Sequence, residues 1–512
     1  MYEVVESVNK AINNVVWGVP MLILIIGTGI YLTIRTGFFQ IRRAGHVHKE
    51  TVGGLFKKDS HAKNSKEKHS ISQFQALCTA LAATIGVGNI AGVAAAIASG
   101  GPGAIFWMWI SAFFGMMTNY SENVLGIYYR RKNIKGEWSG GAMYYLRDGL
   151  GAKKGCKTIG KVLAVLFSVF CILASFGIGN MSQVNTISSN ITNVFQIPAL
   201  DRELVIGNLK VNLYSLIVGI ALMLVAGLVI VGGIKRIAQV TEKVVPFMAI
   251  VYVFGTLIVL IANISKIGEV FAAIFSFAFG FRALGGAAIG IAIKNACTWG
   301  FKRGVFSNEA GLGSSVMVHS ASNVVEPVKQ GLWGIFEVFA DTMVVCTLTA
   351  FAILSSGLVD LHTGAVLTGA QSTALVSEAF GTIFNFAGIN AGGIFIAIAI
   401  LFFASSTVLG WSYYGTKAWE YLFGTKATII YKVIFVLFIV CGATMNLGLA
   451  WDISDTFNGL MAIPNLIGVL TLSGTVIKIT KNYSNRIFRG KEEKPMLSAF
   501  EDIQKEQEMK LK

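Results

Sequence analysis

A ten-residue stretch inside a long apolar segment carries groups suited to binding small ions. In TIGVGNIAGV, Thr84 to Val93, three glycines stand beside a threonine and an asparagine. Glycine weakens a helix, and an unwound backbone within hydrocarbon is tolerated only where it lines a cavity. There, free N–H groups bind a carboxylate, and free carbonyl oxygens bind a cation such as Na⁺. The stretch therefore predicts an interrupted helix with a binding site at the interruption.

The same glycines have a simpler explanation. Gly86, Gly88 and Gly92 could form a face of small residues that packs closely against another membrane helix. Gly88 and Gly92 have the GxxxG spacing that is typical of such packing. A second Gly-interrupted segment, FAFGFRALGGAAIG from Phe277 to Gly290, favours the binding role. There we predict Phe279 as pocket wall and Gly280 as exposed backbone.

Polar side chains in SFGIGNMSQVN form a further candidate site. Asn180 and Gln183 lie about one helical turn apart, so they share a face and suit a carboxylate or an ammonium group. Hydrogen bonding between helices explains them equally well. Both interpretations stay open.

Four charged residues fall well within apolar segments: Glu122, Arg282, Glu337 and Asp341. Each would cost ~3 kcal/mol or more if unpaired at the centre of a bilayer. We expect Arg282 to pair with Asp341 or Glu122 as a structural or gating bridge. The alternatives are that Arg282 approaches a bound carboxylate, and that Glu337 and Asp341 are proton sites.

The elements that hold these residues are predicted to be membrane helices. The chain of 512 residues is 54% hydrophobic and 13% charged, with only 7 prolines, which is not the balance of a soluble protein. Apolar windows of ~20 residues, Gly/Ala-rich and without period-two alternation, predict an all-α integral membrane protein. The eleven predicted spans are 15–36, 72–98, 103–129, 160–190, 212–232, 243–264, 269–296, 330–356, 389–415, 429–448 and 456–478.

The net charge of +15 follows topology and does not indicate nucleic-acid binding. Lys and Arg cluster between the first two spans, after the third, and in alternate loops from there on, so those loops are predicted to be cytoplasmic. One alternation fits all loops, with the N-terminus outside and the C-terminus inside. The stretch 297–328, which includes Lys302 and Arg303, is then cytoplasmic, as an inner gate or short helix or as a plain solvated connection.

Setting the first span aside, ten spans divide into two groups of five with opposite orientation. We predict an N-terminal helix and basic loop (1–70), a first repeat (71–264), a second repeat (269–480) and a cytoplasmic tail (481–512). Inverted repeats with paired interrupted helices are typical of secondary transporters. Six scattered cysteines, and a Gly-rich stretch that lacks the GK[ST] of a phosphate loop, predict neither a cofactor nor a nucleotide site.

Five segments together resemble the alanine or glycine:cation symporter family, also called the sodium:alanine symporters. They are TALAATIGVGNIAGVAAAI, GGPGAIFWMWISAFFGMMTNYSENVLGIYYR, GGAMYYLRDGLG, SFGIGNMSQVN and RGVFSNEAGLGSSVMVHSA. The resemblance covers about residues 70–480. It implies the 5+5 inverted-repeat fold of the bacterial leucine transporter with one extra helix, and Na⁺-coupled uptake of small neutral amino acids across the plasma membrane.

The resemblance also implies roles for individual residues. The amides of Val87 and Gly88, with Gly86 and Asn89 nearby, would bind the substrate carboxylate, and the carbonyls of Ala82 and Ile85 would hold sodium. The segment FFASSTVLGWSYYG would add sodium ligands from Ala404, Ser405, Ser406 and Thr407, of which one or two hydroxyls are expected to face the ion. Trp411 in that segment is predicted to close the side-chain end of the pocket.

Several functions remain open beside alanine or glycine symport with Na⁺. Glutamine or another neutral amino acid could be the main substrate, because a methyl-sized pocket discriminates added methylenes by only ~1 to 3 kcal/mol each. A proton-coupled carrier would use carboxylates in place of the hydroxyl sodium ligands. A channel and a transporter-like sensor are the alternatives from other classes.

Overall fold

The computed structural model describes residues 2–55, 70–206, 209–280, 286–386, 388–445 and 448–511 of the chain. The helices of the first half are α1 (Tyr2–Val16), α2 (Val19–Arg35), α3 (Phe39–Arg42), α4 (Ala44–Glu50), α5 (Val52–Leu55), α6 (Gln73–Thr84), α7 (Val93–Gly100), α8 (Ala104–Tyr128), α9 (Ala142–Tyr144), α10 (Lys157–Phe176), α11 (Ser182–Val194), α12 (Leu213–Val231) and α13 (Gly233–Ala262). Those of the second half are α14 (Ile267–Ala278), α15 (Gly286–Asn308), α16 (Val316–His319), α17 (Pro327–Val338), α18 (Thr347–Ser355), α19 (Ser372–Gly381), α20 (Ala391–Phe423), α21 (Thr428–Thr444), α22 (Gly448–Thr471), α23 (Ser473–Arg489) and α24 (Glu501–Leu511). The chain is therefore predominantly helical.

Short irregular elements join these helices. Three antiparallel hairpins pair β1 (Arg131–Lys132) with β2 (Trp138–Ser139), β3 (Glu203–Ile206) with β4 (Leu209–Asn212), and β5 (Asn385–Phe386) with β6 (Ile389–Asn390). Single 3₁₀ turns span Ile264–Lys266 and Thr425–Ala427. The π-helical turns are Gly88–Gly92, Tyr145–Leu150, Gly177–Met181 and Phe339–Cys346. Such turns are frequent at functional sites.

Seven helical segments of the described residues are long and apolar enough to cross a membrane, or nine if two bent pairs each count as one span. The bent pairs are α6 with α7 (53°) and α22 with α23 (56°). The predicted number of eleven is not confirmed. Helix α8 falls short because Asn119, Glu122 and Asn123 interrupt its apolar sequence, and all three are buried within the protein instead of facing lipid. The predicted span 269–296 is divided between α14 and α15.

Both chain termini add helices beyond the predicted spans. Helix α1 precedes the first span and packs on α22. The last predicted span, 456–478, crosses a bend. Helix α22 ends at Thr471, and α23 takes a new direction from Ser473. The C-terminal tail docks on the end of α8: the amide of Ala499 donates to the carbonyl of Tyr128 (2.9 Å), and Lys132 pairs with Glu506 (2.8 Å).

Basic loops that the charge pattern assigns to one side of a membrane meet at one end of the bundle. Lys329 pairs with Glu50 (3.4 Å) and Arg486 pairs with Glu326 (2.5 Å). Arg130 donates to the carbonyls of Ser320, Ser322 and Val324 at 3.1, 2.6 and 2.5 Å. These contacts agree with a common side for the loops after the first, third and seventh predicted spans.

Lys302 and Arg303 depart from the charge pattern. Lys302 pairs with Asp455 (3.0 Å), a residue of the loop predicted to lie on the opposite side, and Arg303 packs its methylenes near Gly92. Both belong to α15, which continues to Asn308. The first part of 297–328 therefore continues α15 and pairs its charge within the protein, and the side of the membrane on which the stretch lies stays a prediction.

Candidate functional site

Helix α6 loses its regular hydrogen-bond ladder directly after Thr84. The amide of Gly86 donates to Oδ1 of Asn89 (2.9 Å), and the amide of Asn89 donates to the carbonyl of Gly86 (3.2 Å). In a continuous helix these two amides would bind the carbonyls of Ala82 and Ile85. Both carbonyls are thus released from the ladder, at the two positions that the resemblance assigns to sodium.

Hydroxyl groups of α20 converge on the released carbonyl of Ala82. Oγ1 of Thr407 lies 3.0 Å from that oxygen and Oγ of Ser406 lies 3.4 Å from it. Both hydroxyls also lie within 3.0 Å of the carbonyl of Phe403. An all-oxygen group of this kind suits a hard cation such as Na⁺.

The third hydroxyl of the run has a different environment. Ser405 lines an apolar cavity of about 350 Å³ between α11, α12, α13, α20 and α21, and Ser406 also lines it. Consecutive residues of a helix point about 100° apart, so three in a row cannot all face one ion. Ser406 and Thr407 are the two that reach Ala82, and Ala404, two residues before Ser406, is fully buried.

The amide of Val87 has a side-chain partner. It donates to Oε1 of Gln183 (3.3 Å). Nε2 of the Gln183 side chain in turn donates to the carbonyl of Ile178 (3.0 Å). Gln183 thus reaches the interruption from α11. Asn180 does not: its Nδ2 donates to the carbonyl of Phe435 on α21 (2.7 Å), which is the interhelical bond of the alternative interpretation.

Asp341 lies opposite the first interruption, on the π-helical turn that follows α17. Its Oδ1 accepts a hydrogen bond from Nδ2 of Asn89 (2.6 Å), and its Oδ2 accepts from the hydroxyls of Ser307 and Thr342 (both 2.7 Å). The carboxylate is fully buried. Glu122 is also held by an amide, Nδ2 of Asn465 (2.5 Å). Their predicted partner Arg282 lies outside the described residues.

A second interruption, Glu309–Ser315, follows α15; it is additional to the predicted one, where α14 ends at Ala278 and α15 begins at Gly286. Between α15 and α16 the chain has positive φ angles at Glu309 (57°), Gly311 (96°) and Gly313 (73°), which end one helix before the next begins. Left-handed conformations are favourable for glycine and strained for glutamate. The amide of Asn465 holds this segment through the carbonyl of Gly311 (2.8 Å).

The predicted pocket residues Phe279 and Gly280 lie at the end of α14, and their role stays a prediction. Phe279 is 41% exposed and its ring packs on Phe106 (5.0 Å between centroids), while Gly280 follows the end of α14 with a φ of 70°. The segment adjoining the first interruption is the end of α15. A Cβ on Gly88 would lie 3.3 Å from the ring of Phe306 and 3.6 Å from Cα of Ser307.

Trp411 connects α20 with the second interruption. Its Nε1 donates to Oε1 of Glu309 (2.9 Å), and Oε2 of Glu309 accepts from Ser314 (2.5 Å). The Trp411 side chain fits against Gly179, where an added Cβ would lie only 2.4 Å from Cβ of Trp411 and 2.5 Å from its indole ring. The prediction that Trp411 closes the pocket stays a proposal, now with a defined orientation for the ring.

Sequence reasoning missed Phe306, Ser307 and Glu309. They lie in RGVFSNEAGLGSSV, where glycines alternate with polar residues next to Lys302 and Arg303. The basic pair made this segment resemble a loop. The signal that could have found it is the Gly-x-Gly of Gly311 and Gly313 joined to a long apolar helix.

Comparison with known proteins gives the family of this chain. The family model described as "Sodium:alanine symporter family" matches residues 2–497.

The chain belongs to the sodium:alanine symporter family.

Two curated relatives illustrate the range within this symporter family. The sodium/alanine symporter AgcS of Methanococcus maripaludis is 45% identical over 478 residues, which are 93% of this chain and 97% of that protein. The probable sodium/glutamine symporter GlnT of Bacillus subtilis is 37% identical, over 96% of this chain and 93% of that protein. Relatives with different named substrates therefore align with most of this chain.

A solved structure identifies the fold of this family member. The crystal structure of MhsT in complex with L-phenylalanine matches with a TM-score of 0.53 at 12% identity, covering 81% of this chain and 99% of that chain. At this identity the likeness concerns the fold alone. It agrees with the expected fold type of the bacterial leucine transporter.

Proposed function

We propose that this protein is a sodium-coupled symporter that carries alanine, glycine or both into the cell. The observation that carries the proposal is the carbonyl of Ala82, released from its helix and met by the hydroxyls of Ser406 and Thr407. A helix end buried in this way needs a partner for its free carbonyls. Na⁺ provides one, with the carbonyls of Ile85 and Ala404 completing the oxygen ligands.

The substrate carboxylate binds at the amide side of the same interruption. The long hydrogen bond from Val87 to Gln183 (3.3 Å) is one that a carboxylate replaces favourably, because charge-assisted bonds are shorter and stronger. The Gln183 side chain then turns toward the substrate, with Gly86, Gly88 and Asn89 providing close backbone approach. Asn180 does not touch the substrate. It ties the π-helical turn before α11 to α21 through the carbonyl of Phe435.

Size selection follows from the rings and helix contacts around the interruption. Phe306 approaches Gly88, Trp411 is fixed by Glu309, and a methyl group on Gly86 would collide with Thr407. Space beside the interruption is thus limited to a small side chain. This favours alanine and glycine over glutamine as main substrates.

Asp341 gives the pocket a buried negative charge. Its described partners are an amide and two hydroxyls, so a cation that enters the pocket meets an uncompensated carboxylate. Coulomb attraction in a site with little water is stronger than at a surface. Asp341 therefore favours the binding of Na⁺ and of the substrate ammonium group together.

Coupling follows if both ligands stabilise the same closed arrangement of the two interrupted helices. One Na⁺ moving through 100 mV supplies ~2.3 kcal/mol, enough to concentrate a substrate roughly 50-fold. We place the protein in the plasma membrane, with its N-terminus outside and its C-terminus in the cytoplasm. The five-plus-five inverted repeat is part of this proposal, with interrupted helices at 84–93 and 277–290.

Uptake into proteoliposomes tests the proposal. Purified protein is reconstituted, and labelled alanine, glycine and glutamine are offered with an inward gradient of Na⁺, of choline, or of protons. We expect saturable alanine and glycine uptake that requires Na⁺. Uptake driven equally by protons without Na⁺ would favour a proton-coupled carrier, and flux that does not saturate would favour a channel.

A further inference from the structure

Two buried side chains that the proposed transport site does not use form a pair between α16 and α17. Nε2 of His319 lies 2.9 Å from Oε2 of Glu337, and both side chains are fully buried. On the other edge of the imidazole, Nδ1 lies 2.6 Å from Nε2 of Gln330. Oε1 of Gln330 accepts from the hydroxyl of Ser322 (3.1 Å). Both ring nitrogens are therefore engaged.

The carboxylate of Glu337 is incompletely satisfied. Besides His319, its Oε2 accepts a long bond from Nδ2 of Asn119 (3.4 Å). Its Oε1 is buried and has no hydrogen-bond partner among the residues that the structure describes. Burying an ionised carboxylate without a partner is strongly unfavourable. A neutral imidazole beside an ionised carboxylate has a net charge of −1. One added proton, shared by His319 and Glu337, makes the pair neutral.

Charges on the neighbouring elements do not replace that proton. Carboxylates approach from α8, from the second interruption and from the π-helical turn after α17, where Glu122, Glu309 and Asp341 each interact electrostatically with Glu337. The basic side chains nearby have other partners. They are Arg130 on the carbonyls of 320, 322 and 324, Lys329 on Glu50, Arg486 on Glu326, and Lys417 on Glu420.

Helix α16 is the short segment that follows the second interruption. Only four residues long, it joins α17 through the His319–Glu337 bond and adjoins the stretch held by Arg130. Any opening of the bundle at this end that moves α16 away from α17 must break that bond. Protonation of the pair and movement of the interrupted helix are thus linked through one contact.

We propose that His319 and Glu337 form a proton-binding site that is loaded when α16 is closed against α17. On opening, the proton leaves to the water on the side of Arg130, Lys329 and Arg486, leaving a neutral imidazole and an ionised carboxylate that water hydrates. The same proton returns from that side on closing. Acidity on the cytoplasmic side therefore holds this end closed and slows transport, while alkalinity speeds it.

The inference rests on the proposed function, because its consequence is measured on transport. In proteoliposomes with equal saturating Na⁺ and alanine on both sides, labelled alanine exchange is measured while pH is varied on one side at a time. We expect the wild-type rate to rise severalfold with pH on the side of Arg486, and to change little with pH on the other side. Glu337→Gln removes the dependence because an amide does not ionise, and His319→Gln does the same.

Glu326→Gln is the matched control, since Glu326 is a carboxylate at the other end of α17, where its partner is Arg486. It should keep the wild-type pH profile. A Glu337→Gln protein that exchanges alanine with the wild-type profile would overturn the inference and leave the proposed function intact. A wild-type exchange rate that does not change with pH on the side of Arg486 would also overturn the inference and leave the proposed function intact.

A second measurement does not depend on transport. Infrared difference spectra of the reconstituted protein between acid and alkaline pH should show a carboxyl or imidazole band that Glu326→Gln retains and Glu337→Gln lacks. Identical difference spectra in wild type and Glu337→Gln would contradict the proton site, even if alanine proves not to be the substrate. Absence of Na⁺-dependent exchange with the band present would contradict the proposed function alone.

Discussion

Oγ1 of Thr407 lies 3.0 Å from the carbonyl oxygen of Ala82, a bond that joins two helices 325 residues apart in sequence. The carbonyl is accessible because the amide of Gly86, its partner in a regular helix, binds Asn89 instead. The bond therefore marks the place where an interruption in one helix becomes a ligand group for another.

Replacement of Thr407 by alanine should weaken sodium activation of uptake. Loss of one hydroxyl ligand to a cation corresponds to about 1.5 to 3 kcal/mol, or a tenfold or greater rise in the Na⁺ concentration for half-maximal uptake. Ser405→Ala is the matched control, since Ser405 lines the apolar cavity and should leave that concentration within a factor of about two. Equal effects of the two substitutions would contradict the assignment.

A methyl group on Gly86 should abolish coupled uptake. The new Cβ would lie 2.4 Å from Oγ1 of Thr407, so either the hydroxyl or the backbone must move. Overpacking of this kind costs typically about 1 to 3 kcal/mol. Gly27→Ala offers a control because a Cβ there meets nothing within 4 Å. Na⁺-dependent uptake by detergent-stable Gly86→Ala protein at the wild-type rate would speak against the site.

Trp411 and Glu309 should behave as one unit. Trp411→Phe keeps an aromatic ring but removes the indole N–H that donates to Oε1 of Glu309. The Glu309 carboxylate then has one described partner fewer, which costs about 1 to 3 kcal/mol. We expect a lower thermal unfolding temperature and slower uptake. A double-mutant cycle with Glu309→Gln should give a coupling energy above about 0.5 kcal/mol, and strictly additive effects would show that the bond contributes nothing.

The ion pair between Lys302 and Asp455 should stabilise the fold more than a surface pair does. The two side chains are 18% and 9% exposed, whereas Lys210 and Glu203 are 73% and 66% exposed. Breaking a partly buried pair costs more than breaking a surface pair, which contributes about 0 to 1 kcal/mol. Thermal unfolding of Lys302→Gln and Lys210→Gln in the same lipid makes the comparison, and equal stability of the two variants would reject it.

The first interruption could be predicted from sequence because its signal is local. Glycines with Thr84 and Asn89 in an apolar segment conflict with a plain membrane helix, and the released carbonyl of Ala82 follows from that conflict. The family assignment was equally accessible, since long specific segments carry it.

The turn at Glu309 was not predicted, although the predicted break in FAFGFRALGG coincides with the end of α14 at Ala278 and the start of α15 at Gly286. The FAFGFRALGG segment is apolar and Gly-rich, whereas the segment at Glu309 is polar and follows Lys302 and Arg303. Only the tertiary contact of Lys302 with Asp455 shows that these charges belong inside the protein. Asn180 and Gln183 likewise share a face, and only their separate partners on α21 and at Val87 distinguish their roles.

The π-helical turn at Gly88–Gly92 makes the length of the chain at this point a property of the site. A π-helical turn holds one residue more than an α-helical turn, and each residue of an α-helix adds about 100° of rotation. Deleting one residue between Gly88 and Gly92 would restore a regular turn, yet it would rotate Asn89 and α7 relative to each other by about that angle. Asn89 could then no longer meet Asp341 while α7 keeps its packing. Among relatives, insertions and deletions should therefore be rarer within this turn than in the loops around it.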